Sequence, residues 1–125
     1  MKRIISTPDA PKAIATYSQA VEANGMLFIS GQIAIDPLTG KLVEGGIEGQ
    51  TKQVMKNIGA ILNAAGYTFR DVVKTGCLLS DIADYSTVNA IYGTFFPEAP
   101  PARAAYAVAS LPMASLIEIE TIACR

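Results

Sequence analysis

Between Lys74 and Arg125 the chain carries a single basic side chain, Arg103, placed directly after Pro100, Pro101 and Ala102 at the mouth of a small-residue apolar run. Further on, Ile117, Glu118, Ile119, Glu120, Thr121 and Ile122 read as a strand with both carboxylates on one face of an otherwise apolar ribbon. A lone guanidinium and a carboxylate set into neighbouring sheet are the groups that grip a small carboxylic acid and handle a water or proton beside it. The same residues also suit a structural ion pair between Arg103 and Glu118 or Glu120.

Other chemistries lack their residues. Not one of the 125 residues is a histidine, which removes the commonest general base, the usual zinc ligand and the Ser-His triads. Cys77 lies in an apolar run and Cys124 next to the last residue, without metal-ligand spacing, so neither metal nor disulfide is expected and a reducing cytoplasm fits best. Half of the residues are hydrophobic, 17% are charged and the net charge is −1, the profile of a folded chain, read here as one domain over residues 1–125. The ten Lys and Arg residues form no basic stripe, so nucleic acid is not an expected partner. Only Ile4 and Ile5 follow Lys2 and Arg3 before Ser6, Thr7 and Pro8, and no signal peptide or membrane span is expected.

Several elements must position these groups. Residues Tyr17 to Ala23 and Met26 to Ser30 flank Asn24-Gly25, a two-residue turn signal that predicts an antiparallel hairpin. Ile33 to Ile35 is expected to continue the sheet, with a turn at Asp36, Pro37, Thr39 and Gly40. From Ile47 to Ala65 apolar residues recur at helical spacing, with Gly59 a weak point and Gly66 a C-terminal cap. Val72 to Leu79 predicts a buried strand. A second helix, capped by Asp81 or Asp84, carries Tyr85, Val88, Ile91, Tyr92 and Phe95 before Pro97. Two last strands, Ala104 to Ala109 and Leu116 to Ala123, are joined by a turn around Pro112. The order implies an α+β layer with two helices on one face of the sheet. Several strands are apolar on both faces, so the uncovered face calls for another copy of the chain and a homo-oligomer is expected.

Tyr17-Ser18-Gln19 before the hairpin, Ser30-Gly31-Gln32-Ile33 after it, Pro101-Ala102-Arg103 and Ile117-Glu118-Ile119-Glu120 occur in an order and spacing that resembles the RidA (YjgF-type) family of imine deaminases, over residues 3–123. The resemblance implies a chorismate-mutase-like fold of the bacillus type, a homotrimer with inward-facing sheets and intersubunit clefts. It also implies hydrolysis of 2-imino or 2-enamino acids, such as 2-iminobutanoate and 2-iminopropanoate, to the 2-oxo acid and ammonia without metal or cofactor. By the same resemblance Arg103 holds the substrate carboxylate and Glu120 positions the attacking water, leaving Glu118 at the rim. Tyr17, Ser30, Gly31 and Asn89 match positions that line the pocket.

The chain also departs from the family's pattern. Arg103 is followed by Ala104 and Ala105 where a serine and a cysteine are usual, which leaves the backbone of Ala105 to make any substrate contact. Tyr106 replaces a smaller aliphatic residue, and a ring turned into the cleft would favour a short imino acid. Ala15-Thr16 stands in place of Gly-Pro before Tyr17. A different class of function, non-catalytic binding of small 2-oxo acids or regulation by them, uses the same arginine. Ribonuclease, translation-inhibitor and holdase roles, also described in the family, fit a chain without histidine and without a basic track less well.

Overall fold

A computed structural model describes all 125 residues, Met1–Arg125. The Asn24-Gly25 signal folds as expected: Asn24 and Gly25 take φ of 52° and 73°, the left-handed conformation that a tight two-residue hairpin needs. They join β2 (Ala20–Ala23) to β3 (Met26–Gln32). A strand not expected from the sequence, β1 (Arg3–Ile5), pairs antiparallel with β2. The first expected strand is shorter than Tyr17–Ala23, because residues 7 to 19 form a loop closed on Gln19.

Residues 33–35 do not continue the main sheet. β4 (Ile35–Asp36) turns away and pairs with β5 (Lys41–Leu42) as a separate two-stranded ribbon. Helix α1 (Gly46–Ala65) follows and ends on Gly66, whose φ of 83° accepts the left-handed cap that a Cβ would strain. Gly59 has a use inside this helix: a Cβ there would lie 3.1 Å from the Phe69 ring, so its absence admits that ring. Next come β6 (Val72–Leu79), α2 (Tyr85–Gly93), β7 (Ala102–Ala107) and β8 (Ile117–Cys124). α2 stops two residues short of the expected Phe95. The N–H groups of Thr94, Phe95 and Phe96 turn to carbonyls three residues back, tightening the end before Pro97.

The main sheet runs β1-β2-β3-β8-β6-β7, antiparallel except for the parallel pair β6–β7. β7 and β8, consecutive in the chain, are therefore separated by β6. Register assigns every side chain to a face. Ile5, Ala20, Ile29, Thr121, Thr75 and Arg103 lie in one row across the sheet on the face that carries the helices. Nine residues of α1 are buried, and the helix packs on β3 and β8 of this face and on α2; Tyr92 of α2 hydrogen-bonds Thr75 at 2.6 Å. The opposite face has no helix. Its rows read Ile4, Val21, Phe28, Ile122, Lys74, Ala102; then Glu120, Gly76, Ala104; then Glu118, Leu78, Tyr106. Ile4, Phe28 and Tyr106 stay about half exposed there. No helix is long and apolar enough to cross a membrane.

Candidate active site

Arg103 enters from β7 on the helix face and meets three side chains spaced i, i+4 and i+7 along α2, one stripe of that helix. Its guanidinium donates to Asn89 Oδ1 at 2.9 Å and to the Tyr85 hydroxyl at 2.6 Å. It also lies over the Tyr92 and Tyr85 rings, 4.8 and 5.4 Å from their centroids. Of its five N–H donors, two serve these bonds, and the other three remain for an anion. The recess in front of it, about 380 Å³, is lined by Asn89, Tyr92, Gly93, Phe96, Pro100, Pro101 and Arg103. Tyr92 is braced in turn: its hydroxyl bonds the buried Thr75, and burial raises its pKa, so it stays neutral beside the cation. Ala105, two residues on, is half-buried on the same face opposite Cys77. Burial pushes the Cys77 thiol up to about 11, against the opposing pull of Arg103, so it is no thiolate nucleophile.

The glutamates are elsewhere. Both project from β8 onto the helix-free face, so the expected pairing of Arg103 with Glu118 or Glu120 does not occur within the chain; the ion pair that does form joins Arg3 and Glu22 at 2.8 Å. The two carboxylates are not equivalent. Glu118 lies over Gly31, where a Cβ would come within 2.0 Å of its Oε2, and Glu120 lies over Gly76, where a Cβ would stand 3.1 Å from its Oε1. The glycines make the room, and they place the acids in different hollows. Glu118 lines a cavity of about 430 Å³ together with Tyr17, Ser30 and Gly31, and with an apolar wall that includes Ile14, Ile33, Ile35 and Met113. Glu120 does not join them: it lines a smaller hollow of about 200 Å³ with Phe28, Lys74, Gly76 and Ile122. Burial first and the charge of Glu120 second raise the pKa of Glu118. Tyr106 faces the same side as Glu118 but two strands away, and does not line its cavity.

The family model described as endoribonuclease L-PSP, the YjgF/RidA group, matches residues 7–125. The chain belongs to that family. It is 53% identical over 125 residues to the mouse protein named 2-iminobutanoate/2-iminopropanoate deaminase, covering 100% of this chain and 93% of that protein. A solved structure of the Rid-family protein YyfA from Yersinia pestis superposes with a TM-score of 0.98 at 48% identity, over 100% of both chains. The structure of E. coli TdcF with bound serine superposes at 0.94, with 37% identity and 98% of each chain covered.

In this family member the cavity of Glu118 is walled by irregular segments held by three buried amides, Gln19 from the motif before the hairpin and two, Gln50 and Asn57, to which the sequence motifs gave no weight. Gln19 accepts from the Thr7 N–H at 2.7 Å and donates to the carbonyls of Thr7, Ala10 and Pro11, closing the loop that carries Pro11 and Tyr17. Asn57 of α1 donates to the carbonyls of Ile33 and Ile35 at 3.2 and 2.9 Å. Gln50 of α1 accepts from the Leu116 N–H at 2.9 Å, next to the turn of Pro112 and Met113. Each amide is more than nine-tenths buried, and each satisfies backbone groups that lie outside the sheet ladder. The usable signal in the sequence was their place: Gln50 and Asn57 fall on the apolar stripe of α1. Ser30 is fixed similarly, its hydroxyl donating to the Ser18 carbonyl at 2.6 Å. Its bulge, a register shift between Ile29 and Gln32, opens the ladder beside Glu118.

Proposed function

We propose that the protein hydrolyses 2-imino acids, 2-iminobutanoate and 2-iminopropanoate among them, to 2-oxo acids and ammonia. The observation that carries this is the pre-set guanidinium: Arg103 is locked by Asn89, Tyr85 and Tyr92, with donors left over and a recess in front. A planar fork held in one orientation suits a bidentate carboxylate. The name of the mouse relative agrees with that chemistry.

In the proposed assembly three copies close a ring with their helix-free faces inward, covering Phe28, Ile122 and Tyr106. The intersubunit cleft then joins Arg103, Asn89 and the Ala105 backbone of one copy to Tyr17, Ser30, Gly31 and Glu118 of the next. The face has no helix over it and leaves Ile4, Phe28 and Tyr106 about half exposed, which supports this arrangement. We assign the water to Glu118 rather than Glu120, because Glu118 shares its cavity with Tyr17, Ser30 and Gly31. The substrate carboxylate rests on Arg103. Water forms a bond to C2 of the protonated imine while the C=N π pair moves to nitrogen, and Glu118 takes the proton that the water loses. Glu118 then gives that proton to the amine and takes the proton of the adduct's hydroxyl as the C=O bond forms and the C–N pair leaves with ammonia, and it returns the proton to solvent once the 2-oxo acid is released. A protonated imine is a strong electrophile, so alignment of water and substrate can supply much of the acceleration. The raised pKa of Glu118, caused by burial and then by the charge of Glu120, makes it a stronger proton acceptor than an ordinary carboxylate. Two free cysteines support a reducing, cytoplasmic setting.

The test is ammonia release from enzymatically generated 2-iminobutanoate, with light scattering to weigh the assembly. Acceleration over the spontaneous rate and a mass near three chains of 13.2 kDa are expected. A second reading, a binding protein for small amino or oxo acids, is favoured by the serine bound in TdcF. Tight 2-oxobutanoate binding with no acceleration would establish it instead. A ribonuclease reading has less support, since the chain has no histidine and a net charge of −1.

A further inference from the structure

Pro112–Ala114 make a single 3-10 turn between β7 and β8, and two of its residues are in the left-handed region, Met113 at φ 56° and Ala114 at φ 54°. Neither is glycine, and L side chains disfavour that conformation. Such strain persists where the surroundings over-determine it, and it concentrates at ligand sites. Here the surroundings do so. Ser115, 1% exposed, donates to the Pro112 carbonyl from both its N–H and its hydroxyl. The next residue is held twice: the Leu116 N–H donates to Gln50 at 2.9 Å, and its carbonyl accepts from the Ser80 N–H at 3.1 Å.

A turn locked this firmly presents Met113 to the cavity of about 430 Å³, whose wall also contains Ile33 and Ile35, themselves pinned through their carbonyls by Asn57. We propose that Met113 is a specificity-determining residue: its thioether side chain is the surface against which the substrate's alkyl chain packs, and it selects branched or extended apolar 2-imino acids over 2-iminopropanoate. This rests on the assignment of the Glu118 cavity as the imine side of the site. The volume falls within the roughly 300–1,000 Å³ of ligand pockets and exceeds what a three-carbon acid fills. Met is unbranched and adaptable, so it follows side chains of different shape without a fixed clash. Tyr106 of the same chain, which would have narrowed the pocket in favour of short substrates, does not line this cavity.

Binding of stable products separates this inference from the catalytic reading. The wild type, Met113→Leu and Met113→Gly are titrated calorimetrically with 2-oxopropanoate, 2-oxobutanoate and 4-methyl-2-oxopentanoate. In the wild type affinity should rise about fourfold for each added buried carbon. Met113→Leu should keep that slope, and Met113→Gly, which takes the same positive φ without strain, should flatten it. A flat wild-type series, an unchanged slope in Met113→Gly, or no binding of any of the three acids overturns the proposal. A rising series in a protein that releases no ammonia from any imine upholds Met113's role and sinks the deaminase reading alone.

Discussion

The arginine side and the glutamate side of the candidate site are built by opposite means. Arg103 is supported by regular structure: one strand supplies it, one helix stripe supplies Tyr85, Asn89 and Tyr92, and Thr75 on the neighbouring strand braces Tyr92. The Glu118 cavity is walled by a loop, the segment that follows a bulge and a strained turn, each tied down by a buried amide. On the proposed function, the half that would recognise an invariant carboxylate is rigid by secondary structure, whereas the half that would handle a variable side chain and a water is made of segments whose geometry residue changes can adjust. Invariance of the ligand group and regularity of the protein go together here.

The sharpest way to break this contrast is Arg103→Lys. The ammonium keeps the charge but loses the fork and its ring stacking, and each charge-assisted bond forfeited is worth about 1.5–3 kcal/mol, so turnover of 2-iminobutanoate should fall by two orders of magnitude or more. Near-parental turnover would show that the carboxylate is held elsewhere. Next in size is Glu118→Gln, expected to lower kcat by roughly 10²-fold with 2-oxobutanoate affinity little changed, while Glu120→Gln stays within a few-fold. The reverse ranking would move the water to the hollow beside Gly76 and refute the assignment by shared cavity.

A smaller effect is expected for Asn89→Ala. It removes one brace and leaves the two rings, so KM should rise several-fold with kcat nearly kept; a collapse of kcat instead would mean that Asn89 touches the reacting atoms. The smallest is a stability effect of opposite sign. Glu118 has a folded pKa above its ordinary 4.5, so it binds its proton more tightly folded than unfolded. Its stabilising contribution is present below about pH 4.5 and is lost as pH rises through the raised folded value. Glu118→Gln should therefore raise the melting temperature at pH 7 and make little difference at pH 4. A lower melting temperature at pH 7 would show that the carboxylate is structural rather than a group held at a cost to stability for function.

Local signals in the sequence located most elements. The hairpin at Asn24-Gly25, α1 with its Gly66 cap and the buried strand β6 all rest on short-range chemistry and stand where periodicity put them. β1, three residues long, offers no alternation to detect, and the ribbon of β4 and β5 has only two residues a side. What no local pattern could carry is register between distant strands. Strand parity correctly put Glu118 and Glu120 on one face, but the insertion of β8 between β3 and β6 decides that Arg103 is on the other. The bulge at Ser30 and Gly31 likewise decides which glutamate meets Tyr17, and it leaves no trace in the spacing of the Glu pair. Buried amides escaped because a polar residue on an apolar stripe gains meaning only once the carbonyls opposite it are known.

The place of β8 has a consequence for how the chain comes to be folded. Everything that holds Arg103 lies between residues 75 and 103, with partners at most 18 residues apart, so the span can organise before β8 is made. β8 is made after both halves and is the one strand that joins β1-β2-β3 to β6-β7. Until it arrives β3 and β6 each present an open edge to solvent, and the β8 of another copy is as good a partner as their own. The interval between finishing β7 and seating β8 is therefore when this protein is most exposed to strand exchange and aggregation, and β8 acts as the closing piece for both halves of the sheet.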